Sequence, residues 1–247
     1  MNDQSYLFPK FYITSPSPFP YLKGKYERKV FTDLSAPDPG AQHENFNRMG
    51  FRRSQNIVYR PACEGCSSCV SVRVVVDDFA PTKSMRRTLK KFETLEVADE
   101  DAAATFEQFE LLKAYLGSRH ANGGMAGMDE FEYAEMVETS PITTRLVEYR
   151  LARPEKSKNR KGALTAVALT DVMSDGLSLV YSFFNPGKDF SGLGTFVILD
   201  HVMRAKAAGL PFVYLGYWIK GSRTMAYKAR FKPLERLTHN GWRPFTG

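Results

Sequence analysis

Leu177-Ser-Leu-Val-Tyr-Ser-Phe-Phe184 runs directly into Asn185-Pro-Gly-Lys-Asp-Phe-Ser-Gly-Leu-Gly194, and a helical pattern follows. The first segment is apolar enough for a packed strand. The second carries Pro186, Gly187, Gly192 and Gly194, which interrupt helix and strand alike. From Gly194 to Ala208, the apolar residues Phe196, Leu199, Val202 and Met203 recur at helical spacing. Gly209 and Pro211 then supply the usual stop chemistry, and Phe212-Val-Tyr-Leu-Gly216 reads as a short buried strand. A strand, a glycine-rich turn, a helix and a strand form the frame for everything on either side.

Upstream, Thr143–Leu151 and Ala163–Val172 alternate or run apolar between turn residues. With Leu177–Phe184 they predict an antiparallel meander. Asp101–His120 is predicted as a long helix, with Ala104, Phe106, Phe109, Leu112 and Leu116 near a 3.6-residue period. Ala121–Gly127 reads as a linker, and Asp129–Glu138 as another helix. Downstream, Ser222–Ala229 is predicted helical with Ser222 as cap. This order is compatible with an α+β acyltransferase fold of the N-acetyltransferase (GNAT-like) type over residues 96–247.

The remaining 1–95 read as a smaller mixed domain. Residues 1–20 form a proline-punctuated arm, Glu27–Asp33 a strand, Ala41–Met49 a short helix stopped by Gly50. Ile57–Arg60 and Val70–Val76 are predicted strands joined by a loop holding the only three cysteines, Cys63, Cys66 and Cys69. Residues 83–92 fit a basic helix.

At 247 residues, with 43% apolar and 25% charged side chains, the chain is long and apolar enough to bury a sizeable core, so general disorder is disfavoured. Its net charge of +7 suits an anionic partner such as RNA, DNA or a membrane surface, or else marks a merely basic soluble protein. No window is long and apolar enough to span a membrane, and the aromatic, proline-broken start is unlike a secretory signal. Three cysteines in a chain of this size argue against a disulfide framework and for a reducing cytoplasm.

Several motifs together carry a resemblance: Glu27-Arg-Lys-Val-Phe-Thr32, Gly50-Phe-Arg-Arg-Ser-Gln-Asn-Ile57, Tyr59-Arg-Pro-Ala-Cys63 with Cys66 and Cys69, and Ser84-Met-Arg-Arg87. Leu215-Gly-Tyr-Trp-Ile219, Met225-Ala-Tyr-Lys228 and Phe231-Lys-Pro-Leu-Glu235 continue it. From about residue 20 to 238 the chain resembles the bacterial aspartate/glutamate leucyltransferases, relatives of the eukaryotic arginyl-tRNA–protein transferases. The resemblance implies transfer of leucine from leucyl-tRNA to the N-terminus of proteins starting with Asp or Glu. The products enter the N-degron degradation route. It also implies leucyl-tRNA and such proteins as partners and an acyltransferase-type C-terminal half, while hydropathy and cysteine usage speak for no membrane and a cytoplasmic setting. Where relatives are expected to carry a cysteine just before Pro-Tyr-Leu, this chain has Phe19.

The donor in such a reaction is an ester, already activated, so the enzyme chiefly positions the amine and stabilises the oxyanion. Gly192 and Gly194 can bring backbone N–H groups and a helix N-terminus to the tRNA 3′ end, or merely turn the chain. Tyr217 is a candidate donor to the oxyanion or the leaving ribose oxygen, or a core tyrosine at a strand end. Asp200 is a candidate to orient the amine, or a surface acid. The acceptor's carboxylate calls for cations: Arg60 and Arg73, expected on neighbouring strands, and Lys228 are candidates, against structural ion pairs and a solvated lysine. Lys83, Arg86, Arg87, Lys90 and Lys91 form a stripe suited to tRNA phosphates, and the basic loop Arg153–Lys161 offers a second.

The reaction requires no cofactor. Cys63, Cys66 and Cys69 do have ligand spacing, which admits a metal or iron–sulfur cluster, or simply a tight loop around Gly65. A ferredoxin-like run would need a cysteine where Arg73 stands, and zinc would need one more ligand, such as His43, or an open site. Three alternatives stay open: donation of arginine instead of leucine, a CoA-dependent N-acetyltransferase, and a non-enzymatic metal-clipped RNA-binding module.

Overall fold

A computed structural model describes residues 9–119, 121, 123–152 and 161–246. The chain begins with four strands, β1 (Tyr12–Ile13), β2 (Ser17–Pro18), β3 (Tyr26–Glu27) and β4 (Lys29–Asp33). Helix α1 (Pro39–Arg48) follows, then β5 (Arg52–Ser54), β6 (Ile57–Pro61) and β7 (Cys69–Val75). After α2 (Lys83–Lys91) come β8 (Glu96–Asp101), α3 (Phe106–Arg119) and α4 (Glu130–Glu138). The meander is β9 (Thr144–Arg150), β10 (Leu164–Met173) and β11 (Gly176–Phe184). The chain ends with α5 (Leu193–Ala207), β12 (Phe212–Ile219), a 3-10 turn at Ala226–Arg230, β13 (Leu234–Thr238) and β14 (Gly241–Pro244).

An eight-stranded mixed sheet organises the molecule, in the order β14-β13-β7-β12-β11-β10-β9-β8. Every neighbouring pair is antiparallel except β11 and β12, which the intervening helix α5 makes parallel. A four-stranded sheet, β1-β4-β6-β5, and the ribbon β2-β3 complete the N-terminal part. Residues 1–95 are thus woven into the rest, because β7 lies between β12 and β13.

Side chains alternate across the large sheet, and the two faces carry different cores. Ala166 and Ala168 of β10 face α5 and α2, with Val197, Leu199 and Val213. Val167 and Leu169 face α3 and α4, packing with Phe109, Leu112 and Tyr133. Burial of each large apolar side chain here contributes roughly 1.5–3 kcal/mol. Leu34, Phe46, Phe51 and Val58 form a small third core under the four-stranded sheet. Polar bonds lock that sheet's layer to the large one: Arg53 and His43 reach Asp171, Arg48 reaches Asp175, and Ser71 donates to the Gly50 carbonyl.

The structure departs from three expectations. Residues 101–105 are not helical: Glu96–Asp101 is the edge strand β8, and the helix starts at Phe106. Thr105 caps it, accepting from the Gln108 backbone while the Gln108 side chain accepts from the Thr105 N–H, a reciprocal Thr-x-x-Gln box. The expected end of this helix at His120 lies outside the described residues. Ser222–Ala229 forms no α-helix; the segment holds only the 3-10 turn, and Ser222 bonds Thr224 instead. Arg60 and Arg73 are on strands of different sheets, β6 and β7.

Candidate active site

The site is built where β11 and β12 part. They pair only through Gly176–Ser178 and Phe212–Tyr214. Both strands bulge just beyond that point. In β11, Tyr181 faces Leu169 and Leu179 faces Thr170, so Val180 is an extra residue. In β12, Tyr214 faces Arg73 and Gly216 faces Val72, so Leu215 is the extra one. Bulges bend a strand and end regular pairing, which separates the two strands toward their C-terminal ends.

Arg52 fills the fork of this separation. Its Nη1 donates to Ser178 Oγ at 3.0 Å and its Nη2 to the Leu179 carbonyl. Gly216 makes room for it: φ is +73°, and a Cβ there would sit 3.0 Å from Arg52 Nε. Glycine therefore satisfies both the backbone and the guanidinium.

Lys228, on the 3-10 turn after β12, lies beside Arg52 and is buried. Its ammonium donates to the Tyr217 carbonyl at 2.7 Å. Burial, and then the Arg52 charge, pull its pKa down to about 7. Tyr21 and Tyr115 lie within electrostatic reach of each other and of both Tyr181 and Tyr227, and burial raises the pKa of each phenol. The Tyr115 ring packs 5.0 Å from Phe184, whose own ring would meet a Cβ at Gly194 at 2.7 Å.

The glycine turn stands next to the basic helix. Gly192, at φ +98°, is the N-cap residue of α5, and a Cβ on it would lie 3.8 Å from Thr88 of α2. Lys91 Nζ donates to the Ser191 carbonyl at 2.9 Å. On the other side, Arg230 Nη2 donates to Ser84 Oγ at 3.4 Å. Helix α2 therefore touches both the glycine turn and the turn that bears Lys228. Lys83, Arg86, Arg87, Lys90 and Lys91 are all exposed, and among the described residues none forms an ion pair with an acid. The other basic loop, at residues 153–160, lies outside the described residues.

Other expected site residues are engaged elsewhere. Tyr217 gives its hydroxyl to the Gly50 carbonyl at 2.8 Å, with the Tyr59 carbonyl at 3.2 Å. It is a strut between the two sheets rather than a free donor. Asp200 accepts from Tyr149 at 2.8 Å and from Arg204 at 2.7 Å, and lines a separate groove of about 460 Å³ between α2 and α5. Arg73 is bound to Glu235 at 2.8 Å and lies 3.4 Å over the Phe212 ring, so its fork is occupied. Arg60 is exposed and stacks over Phe51. Sequence reasoning missed Arg52, although it lies inside the quoted Gly50–Ile57 motif.

The three cysteines are free thiols. Burial, then Cys63 and Cys66, push the Cys69 thiol up to about 11. Among the described residues, no three His, Cys, Asp or Glu side chains form a group able to hold a metal ion. His43 turns instead to Asp171, and Phe19 packs on Tyr21.

Residues 17–87 match the family model described as arginine-tRNA-protein transferase, N terminus, and residues 107–238 match that for its C terminus. The chain is 55% identical over 244 residues to an aspartate/glutamate leucyltransferase of Parvibaculum lavamentivorans, with 98% of each chain covered. It is 54% identical over 244 residues to one of Azorhizobium caulinodans, again over 98% of each. Among solved structures, the crystal structure of FemX aligns with a TM-score of 0.49 at 10% identity, over 84% of this chain and 68% of that one.

Proposed function

The chain belongs to the arginine-tRNA-protein transferase family, and on that premise we propose that it moves leucine from leucyl-tRNA to the α-amine of proteins beginning with Asp or Glu. Its relatives in Parvibaculum and Azorhizobium are named for those acceptors and that residue. The observation that carries the reading is the juxtaposition at α2: an exposed basic helix, with no acid paired to its cations among the described residues, abuts the Gly192 turn and the turn of Lys228.

In this reading tRNA phosphates follow Lys83, Arg86, Arg87, Lys90 and Lys91, and the aminoacyl end passes the glycine turn into the fork between β11 and β12. The parted parallel strands with a glycine turn between them are the acyltransferase device of the N-acetyltransferase type. The acceptor nitrogen attacks the ester carbonyl carbon, and a tetrahedral oxyanion forms. The carbon–oxygen bond to the ribose then breaks, and the proton lost by the amine ends on the leaving hydroxyl. An α-amine has an ordinary pKa of about 7.7–8.0, so an appreciable neutral fraction exists near pH 7 without a strong base. The ester is already activated, so the reaction needs no cofactor. Residues 1–95 supply α2 and part of the fork, residues 96–247 the acyltransferase frame. The products feed the N-degron route, in a cytoplasm that holds charged tRNA.

The test is transfer from radiolabelled leucyl-tRNA and arginyl-tRNA to peptides beginning with Asp, Glu or Ala. Leucine on the Asp and Glu peptides alone is the expected result. Label from arginyl-tRNA only would replace leucine with arginine as the donated residue, and no label from either would end the reading.

A further inference from the structure

We propose that Arg52 and Lys228 together form the pocket that takes the side-chain carboxylate of the acceptor's first residue. This rests on the transfer reading above and assigns that specificity to residues.

Charge is out of balance at the fork. Three other arginines that are buried or nearly so each have a carboxylate: Arg53 has Asp171, Arg73 has Glu235, and Arg150 has Glu148 and Glu107. Arg52 and Lys228 are buried as deeply, and among the described residues neither is paired with an acid. Their partners are neutral oxygens: Ser178 Oγ, the Leu179 carbonyl and the Tyr217 carbonyl. They also lie close enough for Arg52 to depress the lysine's basicity. An arginine and a lysine withdrawn from water side by side cannot both hold their charge cheaply unless a ligand supplies the counter-charge.

Position and size choose the anion. The pair sits at the fork where β11 and β12 part, the place given above to the aminoacyl ester that the acceptor amine attacks. Two buried cations can meet only a single small anionic group that comes in to them, whereas the exposed helix α2 suits a polyphosphate backbone. Arg52 is held from both sides by Ser178 and Gly216 and still has N–H groups to give, since a guanidinium carries five. Lys228 adds a point charge from the opposite strand's turn. A carboxylate seated between them would be distinguished from its neutral amide counterpart by charge rather than by shape.

The experiment compares peptides matched except for Asp against Asn, or Glu against Gln, at the first position. In transfer assays the wild type is expected to favour Asp over Asn by at least a hundredfold in kcat/KM. In Lys228→Met, with its melting curve checked, that ratio falls at least tenfold while the KM for leucyl-tRNA stays within twofold. Lys228→Arg restores part of the preference. A folded Lys228→Met protein that keeps the wild-type ratio overturns the pocket. Wild-type calorimetry at pH 8, in buffers of different ionisation enthalpy, supplies a readout free of any variant. The Asp peptide should bind with uptake of protons beyond that of the Asn peptide, as the lysine regains its charge. Equal uptake, or equal affinity for the two peptides, also overturns it. If the wild type transfers to no peptide, the transfer reading fails, whereas the binding difference still decides the pocket.

Discussion

Arg53 and Asp171 face each other as a two-pronged ion pair, Nε to Oδ2 at 2.8 Å and Nη2 to Oδ1 at 2.6 Å, with both side chains buried. One residue is on β5, the other on β10, so the pair fastens the small sheet to the large one. Removing one partner leaves the other charged and dry. Arg53→Met should cost about 3–5 kcal/mol of stability, read as a lower melting temperature and denaturant midpoint. The double variant Arg53→Met with Asp171→Leu should recover part of that loss.

His43 lies against the same carboxylate, with Nε2 3.5 Å from Asp171 Oδ2. Burial outweighs the attraction of Asp171 and brings its pKa down to about 4. The unfolded histidine, with an ordinary value near 6.5, binds a proton that the folded one refuses. Its contribution is therefore intact above about pH 6.5 and is lost as pH falls toward 4, by roughly 3 kcal/mol. Denaturant titrations between pH 7 and 4 should show this slope, and His43→Gln should flatten it.

Gly216 serves two demands at once. Alanine there meets a φ of +73° and a Cβ 3.0 Å from Arg52 Nε. Gly216→Ala should destabilise by about 1–2 kcal/mol, and more if Arg52 cannot shift. Because the displaced group is Arg52, the KM for an Asp peptide should rise further than that for an Asn peptide.

Helix α2 presents its cations with no neutralising acid among the described residues. Replacing Arg86, Arg87 and Lys90 with Gln should raise the KM for leucyl-tRNA about tenfold or more at moderate salt. The slope of log affinity against log salt should flatten by roughly one for each phosphate no longer neutralised. Fluorescence binding titrations at several salt concentrations measure this. An unchanged slope would move the tRNA track elsewhere.

Tyr217→Phe separates a strut from a catalyst. The phenol is bonded to the Gly50 carbonyl, so its loss should lower stability by about 1–3 kcal/mol. A donor to the oxyanion would instead cost about 10²–10³ in kcat. We expect kcat to fall less than fivefold, measured at a temperature where the variant is folded.

What could be read from the chain beforehand follows a physical line. The meander, α5 and the basic helix are local patterns: alternation, a 3.6-residue period and caps a few residues away. The edge strand β8 escaped notice because Glu96-Val-Ala-Asp-Glu-Asp101 is acidic and resembles a helix start. Its charges are met by Arg145, Arg204 and Lys161, which reach it from other elements. The same holds for the site. Arg73 looked available because Glu235, its partner, lies 162 positions away, and Tyr217 finds the Gly50 carbonyl 167 positions away. Arg52 and Arg53 are adjacent and identical in type, yet among the described residues only Arg53 meets an acid. Composition carries no trace of that difference.

Strand β7 leaves the ribosome early, but β12 and β13, which flank it, are synthesised more than a hundred residues later. For most of translation its hydrogen-bonding edges have no native neighbour and are open to wrong pairing. A fragment starting after it would conversely hold β12 and β13 with an empty lane between them. Expressing either part alone should give insoluble protein, and mixing the two during synthesis is the condition under which complementation would be sought.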